Sequence, residues 1–380
     1  MSNTAEKRIW LSPPYMSGRE QEYIQEAFAQ NWIAPLGPNV TEFEKDLSAF
    51  THTRAAAALS SGTAAIHLAL IAMGVQRGDV VLCQSFTFAA SAFPIQYMGA
   101  EPVFIDSEPL TWNMDPHLLE QALQYYQQQG QNVAAILLVH LYGMPAQVDA
   151  LFRIAAHYRV PIIEDAAEAL GSTYQGQPCG SFGKVGILSF NGNKIITTSG
   201  GGALVSQETD LVEQVRFLST QAKEPYPWYE HRTIGYNYRM SNIVAGIGRG
   251  QMTVLEERVR QRRRIHDIYA EELSGIPGIS FLPEPEGAFS NRWLTTVLID
   301  EAQTGRKPEQ IRMRLEEHNI ESRPLWKPLH RQPVFASARA FTNGISERLF
   351  QQGLCLPSGS ALTDIQLRRI CQLIKTVLNE

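Results

Sequence analysis

The chain has 380 residues, 44% hydrophobic and 19% charged, enough for a large core and, on length, two domains. A net charge of −5 and a pI near 6.0 leave no electrostatic footprint for a nucleic-acid partner. The most apolar run, Val133–Val139, is too short to cross a bilayer, and Met1–Ile9 carries no signal-peptide pattern, which argues against a membrane partner.

From Arg54 to about Val205, short apolar runs alternate with longer amphipathic stretches. The strand candidates are Ala55–Leu59, Val80–Cys83, Val103–Ile105, Ala134–Val139, Val160–Ile163 and Ile187–Phe190. Between several of them the pattern turns helical, over Ala64–Met73, Phe88–Met98, Pro116–Gln129 and Val148–Tyr158. This alternation predicts βαβ units, a mainly parallel sheet and a three-layer α/β/α domain. Ser241 reads as the N-cap of one long helix running toward Leu273. Gly246, Gly248 and Gly250 are costly inside it, so either another backbone comes close or the first turns are broken. The arginines 258, 260, 262, 263 and 264 on that helix read as a solvated, partly ion-paired face. Beyond Pro277 a strand (Trp293–Ile299), a helix (Pro308–His318), a Pro-rich loop (Pro324–Pro333) and a last helix (Leu362–Leu378) predict a smaller α+β domain. The expected division is residues 1–250 for the large domain, N-terminal segment included, and 251–380 for the small one. Cys83, Cys179, Cys355 and Cys371 lack any paired metal spacing and read as reduced thiols, so a cytoplasmic protein with no metal site is expected.

The most informative stretch is Leu188–Gly202, which sets Lys194 in a polar, glycine-rich turn just past an apolar strand. A lysine on such a rigid support suits Schiff-base chemistry with an aldehyde; alone, it also fits a solvated hairpin lysine. Ser60-Ser61-Gly62-Thr63 lies between a strand and an apolar helix, where free N–H groups and the helix dipole favour phosphate; a plain N-cap has the same residues. Asp165 closes an apolar strand at the end where doubly wound sheets take ligands. There it either pairs with a pyridinium nitrogen or caps the next helix. Phe88 is either a cover for an aromatic cofactor or core, and Ser189 either a second phosphate donor or an ordinary strand serine. A phosphate cradle, a ring-facing aromatic, a strand-end aspartate and a turn lysine, in that order on one sheet, match what pyridoxal phosphate requires.

The chain resembles the DegT/StrS-type nucleotide-sugar aminotransferases, which are fold-type I pyridoxal phosphate enzymes. The resemblance rests on Gly37-Pro38-Asn39-Val40 with Phe43-Glu44, Ser61–Ala65, Thr87–Ser91, His140–Gly143, Glu164–Glu168, Ser189–Lys194 and Gly235–Ser241. It implies that Lys194 bonds the cofactor and shuttles protons, that Asp165 binds the pyridine nitrogen and that Phe88 stacks on the ring. It also implies that Gly62, Thr63 and Ser189 hold the phosphate and that Glu168 lies near the ring hydroxyl. Asn237 matches a residue reaching the phosphate from a partner subunit, which implies a homodimer with shared sites and Gly246 and Gly250 packed near its interface. Asn191–Gly202 and the loop Glu321–His330 resemble the branch acting on UDP-4-keto-6-deoxy-N-acetylglucosamine, the bacillosamine pathway, with glutamate as the expected amino donor. Trp326, Lys327 and His330 on that loop, and Trp32, are the candidate substrate contacts; Tyr142, Trp228, Tyr229, His231 and Arg232 are weaker ones. Lys184, where many relatives carry an acid, reads as a surface residue. A 3-keto sugar specificity and a non-catalytic cofactor-binding regulator are the alternatives, whereas a sugar dehydratase of this type would carry histidine in place of Lys194.

Overall fold

A computed structural model describes residues 7–380, so the first six residues of the Met1–Ile9 segment lie outside the described residues. Helices α1 (Glu20–Ala29) and α2 (Pro38–Thr51) come first. Then follow β1 (Ala55–Leu59), α3 (Gly62–Ala72), β2 (Val80–Gln84), α4 (Phe93–Tyr97), β3 (Glu101–Ile105), α5 (Pro116–Gln128), β4 (Val133–Val139), α6 (Val148–Tyr158) and β5 (Ile162–Asp165). The short β6 (Thr173–Tyr174) and β7 (Gln177–Pro178) lead to β8 (Val185–Ser189), β9 (Gly202–Ser206), α7 (Thr209–Ser219), α8 (Asn242–Met252) and α9 (Leu255–Leu273). The remainder comprises β10 (Ile279–Phe281), β11 (Ala288–Phe289), β12 (Thr295–Ile299), α10 (Glu301–Thr304), α11 (Pro308–Glu317), β13 (Arg323–Pro324), β14 (Ala340–Phe341), α12 (Ile345–Gln352), β15 (Gly353–Leu356) and α13 (Asp364–Asn379).

The main sheet has eight strands in the order β1-β9-β8-β5-β4-β2-β3-β14. Pairing is parallel from β8 to β14, while β9 runs antiparallel to both β8 and β1. The expected three-layer α/β/α architecture with a mainly parallel sheet is therefore the one observed. One face is covered by a core that includes Phe43, Leu68, Phe86, Phe104 and Phe190; the other packs Leu119, Tyr126, Leu151 and Ile154 over Leu82, Ile105 and Leu138. A second, antiparallel sheet, β10-β12-β15-β13, is backed by α9, α11 and α13 through Ile265, Tyr269, Leu315, Leu367 and Ile370. Two segments cross the boundary expected at residue 250. Ile9 bridges to Ile320 and sits in the core of the second sheet, and β14 adds to the edge of the main sheet beside β3.

Local expectations failed where a helix was drawn too long. Phe88–Met98 is no single helix: Phe88 is extended (φ −71°, ψ 146°), Ala89–Ser91 forms one 3-10 turn, and α4 starts at Phe93. Pro94 has no N–H and is tolerated only in a first turn, so a new helix starts there. Ser241 does cap α8, its hydroxyl accepting from the Val244 N–H, but the long helix breaks at Thr253–Val254 into α8 and α9. The glycines of α8 mark close packing. A Cβ on Gly248 would stand 2.6 Å from the Phe43 ring, and one on Gly250 would stand 2.8 Å from the Glu20 nitrogen. Gly37 (φ 145°) starts α2 where the Asn242 side chain fills the space beside it, accepting from the Asn39 N–H at 2.8 Å. That junction joins the Gly37–Val40 motif to the start of α8.

The arginine run also departs from expectation. Arg260 and Arg264 are exposed and paired with Glu257 and Asp364, and Arg263 pairs with Glu284. Arg258 and Arg262 are buried instead, at 5% and 2% exposure, because that side of α9 faces the interior. Lys184 is on the surface opposite Glu208 at 3.6 Å, as its surface reading implied.

Candidate active site

Parallel strands β5 and β8 end beside the N-terminus of α3, and a cavity of about 220 Å³ opens there. Its lining brings together Gly62, Thr63, Phe88, Asp165, Glu168, Ser189, Lys194 and Trp326. Seven of these are the expected lysine and cofactor-binding positions, and the eighth is an expected substrate contact.

The anion seat is the first turn of α3. Ser61 caps it, its hydroxyl accepting from the Ala64 N–H at 3.0 Å. Helix geometry leaves the N–H groups of Gly62 and Thr63 without intrahelical acceptors, at the positive end of the dipole. Gly62 allows β8 to close in: a Cβ there would meet the Ser189 Cβ at 3.3 Å. Gly202 of β9 presses against Ser61 and Gly62 so tightly that any Cβ would overlap their backbone. Glycine at these two positions thus lets the backbones of α3, β8 and β9 converge at the first turn of α3.

Asp165 forms the floor at the end of β5. Ser91 donates to its Oδ2 at 2.7 Å and the Ala167 N–H to its Oδ1 at 3.1 Å, while Thr87 supports Ser91 at 3.0 Å. Asp165 organises the turn that follows β5 and also lines the cavity.

Lys194 is 12% exposed, not a solvated hairpin lysine. Its Nζ lies 3.6 Å from Glu168 Oε1 and 4.3 Å from the centre of the Trp293 ring. Glu168 accepts the Tyr142 N–H at 2.7 Å with its other oxygen. Burial pushes the Glu168 carboxyl above its usual range, and the nearby Lys194 charge only partly opposes this. Tyr142 (φ 54°) lies between two indoles, its ring 6.3 Å from Trp293 and 6.4 Å from Trp326 and near-parallel to both. Its hydroxyl accepts the Trp326 backbone N–H at 3.0 Å. Phe88 stands at the mouth, 53% exposed and tilted against Trp326 at 5.3 Å.

The other expected contacts lie outside this lining. His330 engages both ring nitrogens within the protein, Ser85 at 2.7 Å and Glu347 at 3.2 Å. Trp32 and Lys327 are exposed away from the cavity, and Asn237 is exposed with its side chain accepting from Gln221 at 3.1 Å. Trp228, Tyr229, His231 and Arg232 are exposed on the segment between α7 and α8. Sequence reasoning missed Trp293, read there only as the start of a strand, and Ser91, noticed only inside a motif. Neither had a local signal, because each meets its partner across at least 74 residues of chain.

The chemistry of these groups fits one cofactor. A helix N-terminus, a carboxylate, aromatic side chains and a primary amine on one cavity lining would suit the phosphate, pyridine ring and aldehyde of pyridoxal phosphate. The DegT/DnrJ/EryC1/StrS aminotransferase family profile matches residues 14–375. The chain belongs to this family. Members of the DegT/DnrJ/EryC1/StrS family are pyridoxal phosphate-dependent sugar aminotransferases, and this chain is one. EpsN of Bacillus subtilis, assigned as a pyridoxal phosphate-dependent aminotransferase, is 53% identical over 97% of this chain and 95% of its own length. GDP-perosamine synthase of Escherichia coli O157:H7 is 34% identical over 97% of this chain and 98% of its own. Among solved structures, DesI with its TDP-sugar product superposes with a TM-score of 0.91 at 28% identity, covering 99% of this chain and 94% of the other.

Proposed function

We propose that this enzyme moves an amino group from L-glutamate to the keto carbon of UDP-4-keto-6-deoxy-N-acetylglucosamine, in a bacillosamine-type branch of polysaccharide or glycan biosynthesis. The observation that carries the reading is the placement of Lys194 Nζ inside the cavity, between Glu168 and Trp293 and beside the anion seat and Asp165. The choice of sugar is supported by the resemblance of Asn191–Gly202 and Glu321–His330 to that branch.

Bound pyridoxal phosphate supplies an electron sink for the pair left behind when the donor's Cα proton departs. The residues of the chain do the rest. The α3 N-terminus, with Thr63 and Ser189, holds the phosphate. Asp165 accepts the ring N–H and keeps that nitrogen protonated. Lys194 Nζ takes the proton from Cα and returns it in the reverse sense when the sugar is aminated. Glu168 orients Nζ, and the Trp293 face shields it from water on one side. Asn237, exposed and outside the cavity of its own protomer, fits a homodimer in which it serves the partner's phosphate seat. Four buried free cysteines fit a cytoplasmic setting. No helix among the described residues is long and apolar enough to cross a membrane.

A second reading, a GDP-linked 4-keto-6-deoxy sugar, is favoured by the 34% identity to GDP-perosamine synthase over nearly the whole chain. The absorbance of the cofactor-loaded protein, recorded before and after L-glutamate, tests both. A visible band should give way to a near-ultraviolet band, and UDP-4-keto-6-deoxy-N-acetylglucosamine should restore it. Restoration by the GDP-linked sugar alone selects the second reading; a band indifferent to every amino donor refutes amino transfer.

A further inference from the structure

Arg262 lies on α9 at 2% exposure, and among the described residues no carboxylate pairs with it. Taking a cation out of water without an anionic partner is expensive, and an apolar side chain of similar volume would often stabilise a fold more. Burial, with Arg258 nearby, pulls its pKa down to about 9, so it remains charged at neutral pH. Three neutral acceptors satisfy it: the Trp293 carbonyl at 2.9 Å, the Ser12 hydroxyl at 2.9 Å and the Ser360 hydroxyl at 3.1 Å.

Two of these acceptors lead to the reacting amine. Ser12 donates its own O–H to the Asn193 carbonyl at 2.7 Å, and the Trp293 indole N–H donates to that same carbonyl at 2.8 Å. Asn193 immediately precedes Lys194, so this carbonyl belongs to the peptide that carries the lysine. Arg262 thereby grips the Trp293 backbone and, through Ser12, the Lys194 peptide. The Trp293 ring in turn lies 4.3 Å from Lys194 Nζ. A guanidinium suits this use because its planar fork holds several acceptors at fixed angles, which a lysine ammonium does not.

We propose that Arg262 is a positioning residue: it locks the Asn193–Lys194 peptide and the Trp293 ring in register, so that Nζ is held at one point over the indole face. This rests on the aminotransferase reading, since it assigns a consequence to where Nζ sits. The charged groups on the lysine side are Glu168, 3.6 Å from Nζ, and Asp165, which acts on Glu168; Arg258 is the one acting on Arg262.

The test compares Arg262→Met, Ser12→Ala and Trp293→Phe with the wild-type holoenzyme. Two readouts are followed: the pH midpoint of the cofactor's absorbance band, and kcat against KM. In Arg262→Met the midpoint should move and kcat should fall about 10- to 100-fold, with KM for both substrates within about threefold of wild type. Ser12→Ala and Trp293→Phe keep the buried charge and should shift both readouts in the same direction by less. A folded Arg262→Met enzyme with wild-type midpoint and kcat overturns the proposal, even if its melting temperature falls. Should that variant not fold, wild-type midpoint and kcat in both other variants overturn it equally. A wild-type protein that binds cofactor yet accepts no amino group defeats the aminotransferase reading instead, and the midpoint comparison still decides the role of Arg262.

Discussion

At the residue scale, the pair Lys194–Glu168 sets opposing demands. The amine must lose its proton to act as a base, and Glu168 is buried where its ionised form is disfavoured. A carboxyl held above its unfolded value binds its proton more readily in the folded state. Its contribution to stability is therefore fully present below the ordinary carboxylate range and is lost as pH rises through the raised value. Glu168→Gln keeps an acceptor for the Tyr142 N–H and removes the titration. The variant should melt higher than wild type at pH 7, with a gap that narrows as pH falls toward 4 and below (about the unperturbed glutamate value). Melting curves across pH check this; a gap that widens on acidification refutes it. Its turnover should fall as well, because Nζ loses the carboxylate that orients it.

At the element scale, α8 depends on having no side chain at the points where α1 and α2 press against it. Replacing a helical glycine by alanine ordinarily gains about 1 kcal/mol. At Gly248, however, the new methyl would stand 2.6 Å from the Phe43 ring, which is itself fully buried against Phe190. Overpacking of this kind costs about 1–3 kcal/mol, so the packing term outweighs the propensity gain. Gly248→Ala should lower the urea midpoint with an unchanged m-value, and a stabilised variant would show that α2 yields more easily than its packing implies. The same reasoning explains what the sequence concealed here. The three glycines announced a close approach or a break; Phe43 and Glu20, the residues that approach, are more than 200 positions away in the chain.

At the scale of the whole molecule, the cavity belongs to the main sheet but is closed by the C-terminal part: Trp293 and Trp326 line it, and Arg262 supports it. The segments that flank β12 and β13 of the second sheet thus contribute to the cavity. The proposed homodimer extends the same logic across subunits and predicts complementation. Lys194→Ala should be inactive, although its phosphate seat still binds cofactor, and Asn237→Ala should bind cofactor weakly. In a mixed dimer of the two, one site holds both lesions and the other holds neither. Random exchange should therefore restore about a quarter of wild-type activity, half the dimers being mixed with one intact site each. Activity that stays at the level of the separate variants after verified exchange would place Asn237 outside the partner's site.

Legibility followed the range of the forces involved. Strand and helix periodicity, the Ser61 and Ser241 caps and the glycine-flanked lysine turn are local consequences of backbone geometry. The βαβ order, the parallel sheet and the positions of Gly62, Thr63, Asp165, Ser189 and Lys194 could therefore be read from the chain alone. A parallel sheet places the carboxyl ends of its strands on one edge whatever the loops do, and this is why residues scattered from 62 to 194 were expected in one place. What the sequence left undecided depends on contacts between distant segments. Arg262 looked like one member of a solvated run until the fold turned that side of α9 inward, and Trp293 looked like the start of a strand until its ring met Lys194. His330 gave no hint in the sequence of the Ser85 and Glu347 partners that engage both of its ring nitrogens. Burial is a property of packed elements, and for a long polar or aromatic side chain only the tertiary structure decides whether it faces water, a cofactor or another residue.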